Sequence, residues 1–121
     1  MDISATIAQL KKDPQFAQKV GMVLVHNGIV RGTSRQDGKA VTCVEVSPDH
    51  ARIAQLCREY ESRPGIYKVL AEAASGRLNV GDDLLFIIVA GDFRENVKPV
   101  LAELLDRIKA EAVVKQEMCV S

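Results

Sequence analysis

Residues 84–90 read Leu-Leu-Phe-Ile-Ile-Val-Ala, an apolar run that follows a turn at residues 76–83. An uninterrupted run of this length, without polar alternation, is typical of a strand covered on both faces. The sequence therefore predicts a central strand here, and the other elements are interpreted outward from it.

The segment after this run predicts the clearest helix of the chain. Its apolar side chains recur at three- and four-residue intervals, at Val97, Val100, Leu101, Leu104, Leu105 and Ile108. Asp92 is a candidate helix cap, and Pro99 predicts that the regular helix begins only at Asn96 or Val97. A stripe of this kind is typical of a helix that packs on a sheet.

Shorter patterns predict the remaining elements. Strands are expected at 22–30, 40–46, 66–71 and 113–114, with a polar, mobile loop at 32–39. A first helix is expected to end near Asp13-Pro14, and a second to start at Ser47-Pro48. The order α-β-β-α-β-β-α-β, with two crossovers through helices, predicts an α+β fold with helices packed on a mixed sheet.

Length and composition indicate one globular domain, residues 1–121, with 47% hydrophobic residues. Sixteen basic and sixteen acidic residues balance, which argues against binding of duplex nucleic acid. The longest apolar run is too short to span a bilayer, and the N-terminus lacks a signal-peptide pattern. Three cysteines and two histidines show no metal-ligand spacing, so no metal is expected, and the cytoplasm is the expected compartment.

Four basic residues are candidates for a site that handles anions: Arg31, Arg94, Lys109 and Lys115. Arg31 ends a predicted strand, and Lys115 follows the long helix on the last strand. Arg94 begins that helix, where a cation opposes the helix dipole, so placement for a ligand is one explanation. Each is also compatible with an ordinary solvated charge.

An ordered set of motifs resembles the large, catalytic subunit of molybdopterin synthase, from the first helix to about Met118. The set comprises Gly28-Ile29-Val30-Arg31, Glu45, Gly76-x-Leu78-x-x-Gly81-Asp82, the apolar strand and the helix that runs into Lys109. The resemblance implies an α/β hammerhead fold and a homodimer within a heterotetramer. It also implies a small ubiquitin-like partner whose Gly-Gly C-terminus carries a thiocarboxylate.

The implied activity is sulfur transfer to cyclic pyranopterin monophosphate, a pterin phosphate, which forms the molybdopterin dithiolene without a further cofactor. The resemblance assigns Lys109 and Lys115 as catalytic residues, and Arg31 and Arg94 as substrate-binding residues. Cations suit this chemistry because the phosphate ester and the thiocarboxylate are both anions.

The chain also departs from the family pattern at the site. Phe93 stands where the family usually has His, and Ala73-Ala74 stands where it has His-Arg. The segment between the two lysines, residues 110–114, is one residue shorter than usual. Because a one-residue shift in a strand moves its side chains to the other face, this change would turn Lys115 away from the site.

Two alternatives remain open from the sequence. One is a non-catalytic relative of the family that keeps the fold and acts as a binding or regulatory module. The other is an unrelated α+β scaffold whose basic residues are surface charges. Separation of Arg31, Arg94 and Lys109 in the structure would favour the second alternative.

Overall fold

The computed structural model describes residues 1–119, with backbone only for residues 117–119. Over this range the chain forms four helices and six strands. In order they are α1 (Ile3–Leu10), α2 (Pro14–Lys19), β1 (Met22–Ile29), β2 (Val41–Pro48), α3 (His50–Glu61), β3 (Ile66–Ala73), β4 (Gly76–Asn79), β5 (Asp83–Gly91), α4 (Arg94–Glu111) and β6 (Val113–Cys119). None of the described helices has both the length and the apolar character needed to span a membrane.

The apolar run at 84–90 lies in β5, which is the central strand of a three-stranded sheet with the order β1-β5-β3. Both pairings of β5 are antiparallel. Residues 85–91 are all buried, although successive side chains point to opposite faces. The prediction of a strand covered on both faces is therefore confirmed.

The remaining strands form a second antiparallel sheet with the order β4-β2-β6. The predicted α+β class is confirmed, but two antiparallel sheets replace the expected mixed sheet. The reason lies in the two helical crossovers. α3 connects β2 to β3, and α4 connects β5 to β6, so each helix joins strands of different sheets and creates no parallel neighbours.

Two hydrophobic cores follow from this arrangement. The larger core packs the apolar stripes of α3 and α4 against the first sheet, with Leu56, Ile87 and Leu104 fully buried. The smaller core consists of four valines next to the second sheet: Val30, Val41, Val44 and Val46. Leu84 and Val113 pack against both cores, so the two sheets share a continuous apolar junction.

Two short elements were not predicted. Pro14 is the first residue of α2, a position where the N–H that proline lacks would have no partner within the helix. Asp13 caps this helix, because its carboxylate accepts a hydrogen bond from the Gln15 N–H at 2.9 Å. Residues 76–79 belong to the predicted turn at 76–83, but they form β4, which pairs with β2. A strand of four residues is too short to show a clear alternation.

Two predicted helix starts were also misplaced. Ser47 and Pro48 are the last residues of β2, and α3 begins after Asp49, whose carboxylate accepts from the Arg52 N–H at 2.9 Å. Helix α4 begins at Arg94, before the expected start, with Phe93 at the cap position. There the Asp92 carboxylate accepts from the Phe93 N–H at 2.6 Å and from the Asn96 amide at 2.8 Å, which orders the first turn.

Candidate functional site

A pocket of about 240 Å³ lies where the end of β1, the loop after it, the end of α4 and β6 meet. Three of the four cations selected from the sequence line it: Arg31, Lys109 and Lys115. A fourth cation, Arg35, comes from the loop between β1 and β2. The other lining residues are Ile29, Val30, Thr33, Val41 and Val44.

The register of the second sheet places Lys115 at this pocket. Lys115 lies opposite Val46, a buried residue of the smaller core, and therefore shares its face of the sheet. Its neighbour Val114 points to the other face and is 70% exposed. The shorter segment before Lys115 thus does not turn it away, because α4 ends at Glu111 and β6 begins with Val113 packed inward.

Arg31 is oriented by its own loop. Its Nε donates to the Thr33 carbonyl oxygen at 3.1 Å. Within the described part of the chain, the two terminal guanidinium nitrogens of Arg31 make no hydrogen bond. These nitrogens are therefore available to a ligand in the pocket, and their planar geometry suits a carboxylate or a phosphate.

The described lining of this pocket carries charge of one sign. Among the residues whose side chains the structure describes, four cations and no acidic residue line it. Elsewhere, arginines pair with glutamates, as in Arg52–Glu111, Arg63–Glu103, Arg94–Glu95 and Arg107–Glu59. Among the residues that the structure describes, Arg31, Arg35 and Lys109 have no such ion pair. Such a pocket favours an anionic ligand.

A second pocket, of about 340 Å³, is lined by three of the same cations: Arg35, Lys109 and Lys115. Its other lining residues are apolar, namely Leu84, Leu85 and Val113. The two pockets together, called the cationic site below, therefore offer an anion-binding part next to an apolar wall. This combination suits a ligand that carries a charged group on a less polar body.

His26 lies on β1 and was not selected from the sequence. Its Nε2 is buried and has no hydrogen-bond partner among the described residues. Burial and, to a smaller extent, the positive charge of Lys109 lower the pKa of His26 below its usual value. The imidazole is therefore held in its neutral form close to the cationic site.

Arg94 does not line the cationic site of its own chain. It is exposed at the start of α4, where its guanidinium pairs with Glu95 at 3.3 Å, and it borders a different, shallow pocket beside Phe93. Arg94 and Lys109 stand near opposite ends of α4. At 1.5 Å per residue, this separation is about 22 Å along the helix axis. One chain therefore brings Arg31, Lys109 and Lys115 together and leaves Arg94 apart.

The two cysteines whose side chains are described show no features of a nucleophilic or metal site. Cys43 and Cys57 are buried thiols, and burial raises the pKa of the Cys57 thiol to about 11. The side chain of Cys119 lies outside the described residues. Over the described range, no group of three or more His, Cys, Asp or Glu side chains is placed to hold a metal ion.

Comparisons with known proteins add a family match. The family model described as MoaE protein matches residues 1–111. A comparison with curated protein sequences finds no significant match.

Solved structures share the fold. Molybdopterin synthase from Staphylococcus aureus is 22% identical with a TM-score of 0.72, over 84% of this chain and 77% of that chain. Molybdopterin cofactor biosynthesis protein E from Burkholderia multivorans is 23% identical with a TM-score of 0.75, over 99% of this chain and 82% of that chain. A complex of subunits 1 and 2 of the molybdopterin-converting factor from Helicobacter pylori is 14% identical with a TM-score of 0.71. The match covers 98% of this chain and 80% of that chain.

Proposed function

The chain belongs to the MoaE protein family, the large subunits of molybdopterin synthase, and we propose that it transfers sulfur in molybdenum cofactor biosynthesis. The donor is a thiocarboxylate at the Gly-Gly end of a small ubiquitin-like subunit, and the acceptor is cyclic pyranopterin monophosphate. The observation that carries the proposal is the cationic site, where Arg31, Arg35, Lys109 and Lys115 converge on one pocket. The thiocarboxylate and the phosphate ester are both anions, and positive charge at the site reduces the repulsion between them when they bind together.

The lysines and Arg31 suit different parts of the proposed reaction. Lys109 and Lys115 are compact charges that border both pockets, which suits a sulfur anion that must be bound and then released. Arg31 has free terminal nitrogens and suits a planar or tetrahedral anion that stays in place. The apolar wall of Leu84, Leu85 and Val113 offers a surface to the ring system of the pterin.

The partner is proposed from the same family membership. One structure of the same fold is a complex of two subunits of the molybdopterin-converting factor, from Helicobacter pylori. For this chain we propose a small sulfur-carrier subunit and a heterotetramer built on a homodimer. Cys43 and Cys57 are buried thiols, which suits a reducing compartment, and the cytoplasm is the proposed location.

A homodimer would give Arg94 a role that it lacks within one chain. The length of α4 keeps Arg94 away from its own Lys109, so a substrate-binding Arg94 must serve the site of a second copy. Mixing Arg94→Ala with Lys109→Ala tests this. In a shared site, random pairing restores about a quarter of the wild-type sites, because half of the dimers carry one intact site. Recovery no greater than the sum of the two variants alone would refute the shared site.

The sulfur transfer itself is tested with the purified chain, a thiocarboxylated carrier and cyclic pyranopterin monophosphate. Molybdopterin is the expected product, and Lys109→Ala should form almost none. Arg58→Ala, an exposed change on α3, is the matched control. Absence of product from folded wild-type protein, with a carrier that serves another large subunit, would refute the proposal.

A second candidate function is a binding or regulatory role without catalysis. Phe93 favours it, since this residue is 66% exposed at the position where the family usually has His. This alternative predicts that Lys109→Ala leaves the cellular role intact. Loss of cofactor synthesis in cells carrying that variant would exclude it.

A further inference from the structure

The loop between β1 and β2 brings one side chain into both pockets of the cationic site. Arg35 lines the first pocket beside Arg31 and the second beside Leu84. Of the residues that border the two pockets, only Arg35, Lys109 and Lys115 border both. Arg35 therefore stands at the junction of the two pockets, together with the two lysines that the family resemblance assigns as catalytic.

The loop that carries Arg35 is a hydrogen-bonded hairpin. Ser34 is 8% exposed; its N–H donates to the Lys39 carbonyl at 2.8 Å, and its own carbonyl accepts from the Gly38 N–H at 3.0 Å. The Ser34 hydroxyl also accepts from the Gln36 N–H at 3.3 Å. Gly38 takes a positive φ of 70°, which closes the turn without strain. Arg35 thus projects from a backbone that is anchored on both sides.

The guanidinium of Arg35 has no partner within the part of the chain that the structure describes. It makes no ion pair and no hydrogen bond with the described residues. The acidic residue of the same loop, Asp37, accepts instead from the Lys39 N–H at 3.0 Å. An arginine that no described side chain engages retains its capacity for a two-pronged bond to phosphate oxygens.

We propose that Arg35 is a further substrate-binding residue, and that it holds the phosphate group of the substrate at the junction of the two pockets. Within one chain Arg35 lies at the cationic site, whereas Arg94 does not. The identity of the substrate rests on the proposed function, whereas binding of a phosphate-type anion through Arg35 does not.

Inorganic phosphate is the probe for the binding step. Its affinity is measured by NMR titration of the wild-type chain and of Arg35→Ala, Arg35→Lys and Arg77→Ala. The Arg35→Ala change should weaken binding by about tenfold or more, because it removes a charge-assisted, two-pronged bond. Arg35→Lys should keep the charge and recover only part of the affinity. Arg77 is exposed on β4 outside both pockets, so its removal should change affinity by less than about twofold.

Kinetics supply the second readout. In the sulfur-transfer assay, Arg35→Ala should raise the KM for the pterin phosphate more than it lowers kcat, because it removes a group that binds and does not react. Equal phosphate affinity in wild type and Arg35→Ala, or no measurable phosphate binding by the wild type, would overturn the role of Arg35. If phosphate binds through Arg35 and sulfur transfer fails, the proposed function is refuted and the anion site stands.

Discussion

The burial of β5 on both faces can be tested by truncating two neighbouring residues. Ile87 and Ile88 point to opposite faces of the first sheet, and each is 0% exposed. Replacement by Ala removes three buried carbons in either case. The transfer term is about 0.8 kcal/mol for each carbon, or about 2.4 kcal/mol. The cavity left in a packed core raises the expected cost to about 3–4 kcal/mol for each variant.

Urea unfolding is monitored by circular dichroism. The free energies of unfolding are compared between variants whose m-values are equal to that of the wild type. Val114→Ala is the matched control, because Val114 lies on a strand but is 70% exposed, and its truncation should cost less than about 0.5 kcal/mol. A large cost for Ile87→Ala with a cost below about 1 kcal/mol for Ile88→Ala would show that only one face is packed. That result would refute the assignment of β5 as a strand covered on both sides.

Three further predictions concern the cationic site and its surroundings. Lys109→Ala should lower the rate of sulfur transfer by about a hundredfold or more, and transfer at the wild-type rate would contradict its role. The circular dichroism spectrum should not change, because Lys109 is exposed at the end of α4. His26→Phe should reduce the acid sensitivity of folding: the pKa of His26 is lowered in the folded chain, so wild-type stability falls as pH drops below about 6.5, where the unfolded chain takes up the proton. Urea unfolding at pH 7.5 and 5.5 measures this, and equal losses in both proteins would contradict it. Glu111→Gln should lower the melting temperature at pH 7, because hydrogen bonds from Arg107 and Arg52 hold the pKa of Glu111 at about 2. The difference in melting temperature from wild type should shrink as pH falls from about 4.5 towards 2. A difference that does not depend on pH would argue against the ion pairs.

The sequence was sufficient for the elements whose signal is local. The run at 84–90 predicted the central strand because seven apolar residues in succession suit burial on both faces. The stripe from Val97 to Ile108 predicted α4 in the same way. α2 and β4 were missed because six and four residues carry too little periodicity to distinguish them from turns.

The candidate site was predictable only in part, because its assembly depends on non-local register. Arg31 and Lys109 could be selected from motifs. The placement of Lys115 depends on its pairing with Val46, which no local pattern reveals. Arg35 had only the signal of a polar loop, and His26 became notable only when packing left its Nε2 without a partner.

The apolar wall of the second pocket has a thermodynamic consequence. Leu84 and Val113 form that wall and also connect the two hydrophobic cores. A ligand bound there contacts residues that both cores share, so it loses these contacts when either core unfolds. Occupancy should therefore stabilise the whole chain by mass action, by about 2.7 kcal/mol at a ligand concentration one hundred times Kd. A simple melting curve thus becomes a binding assay for every candidate substrate, independent of any chemical turnover.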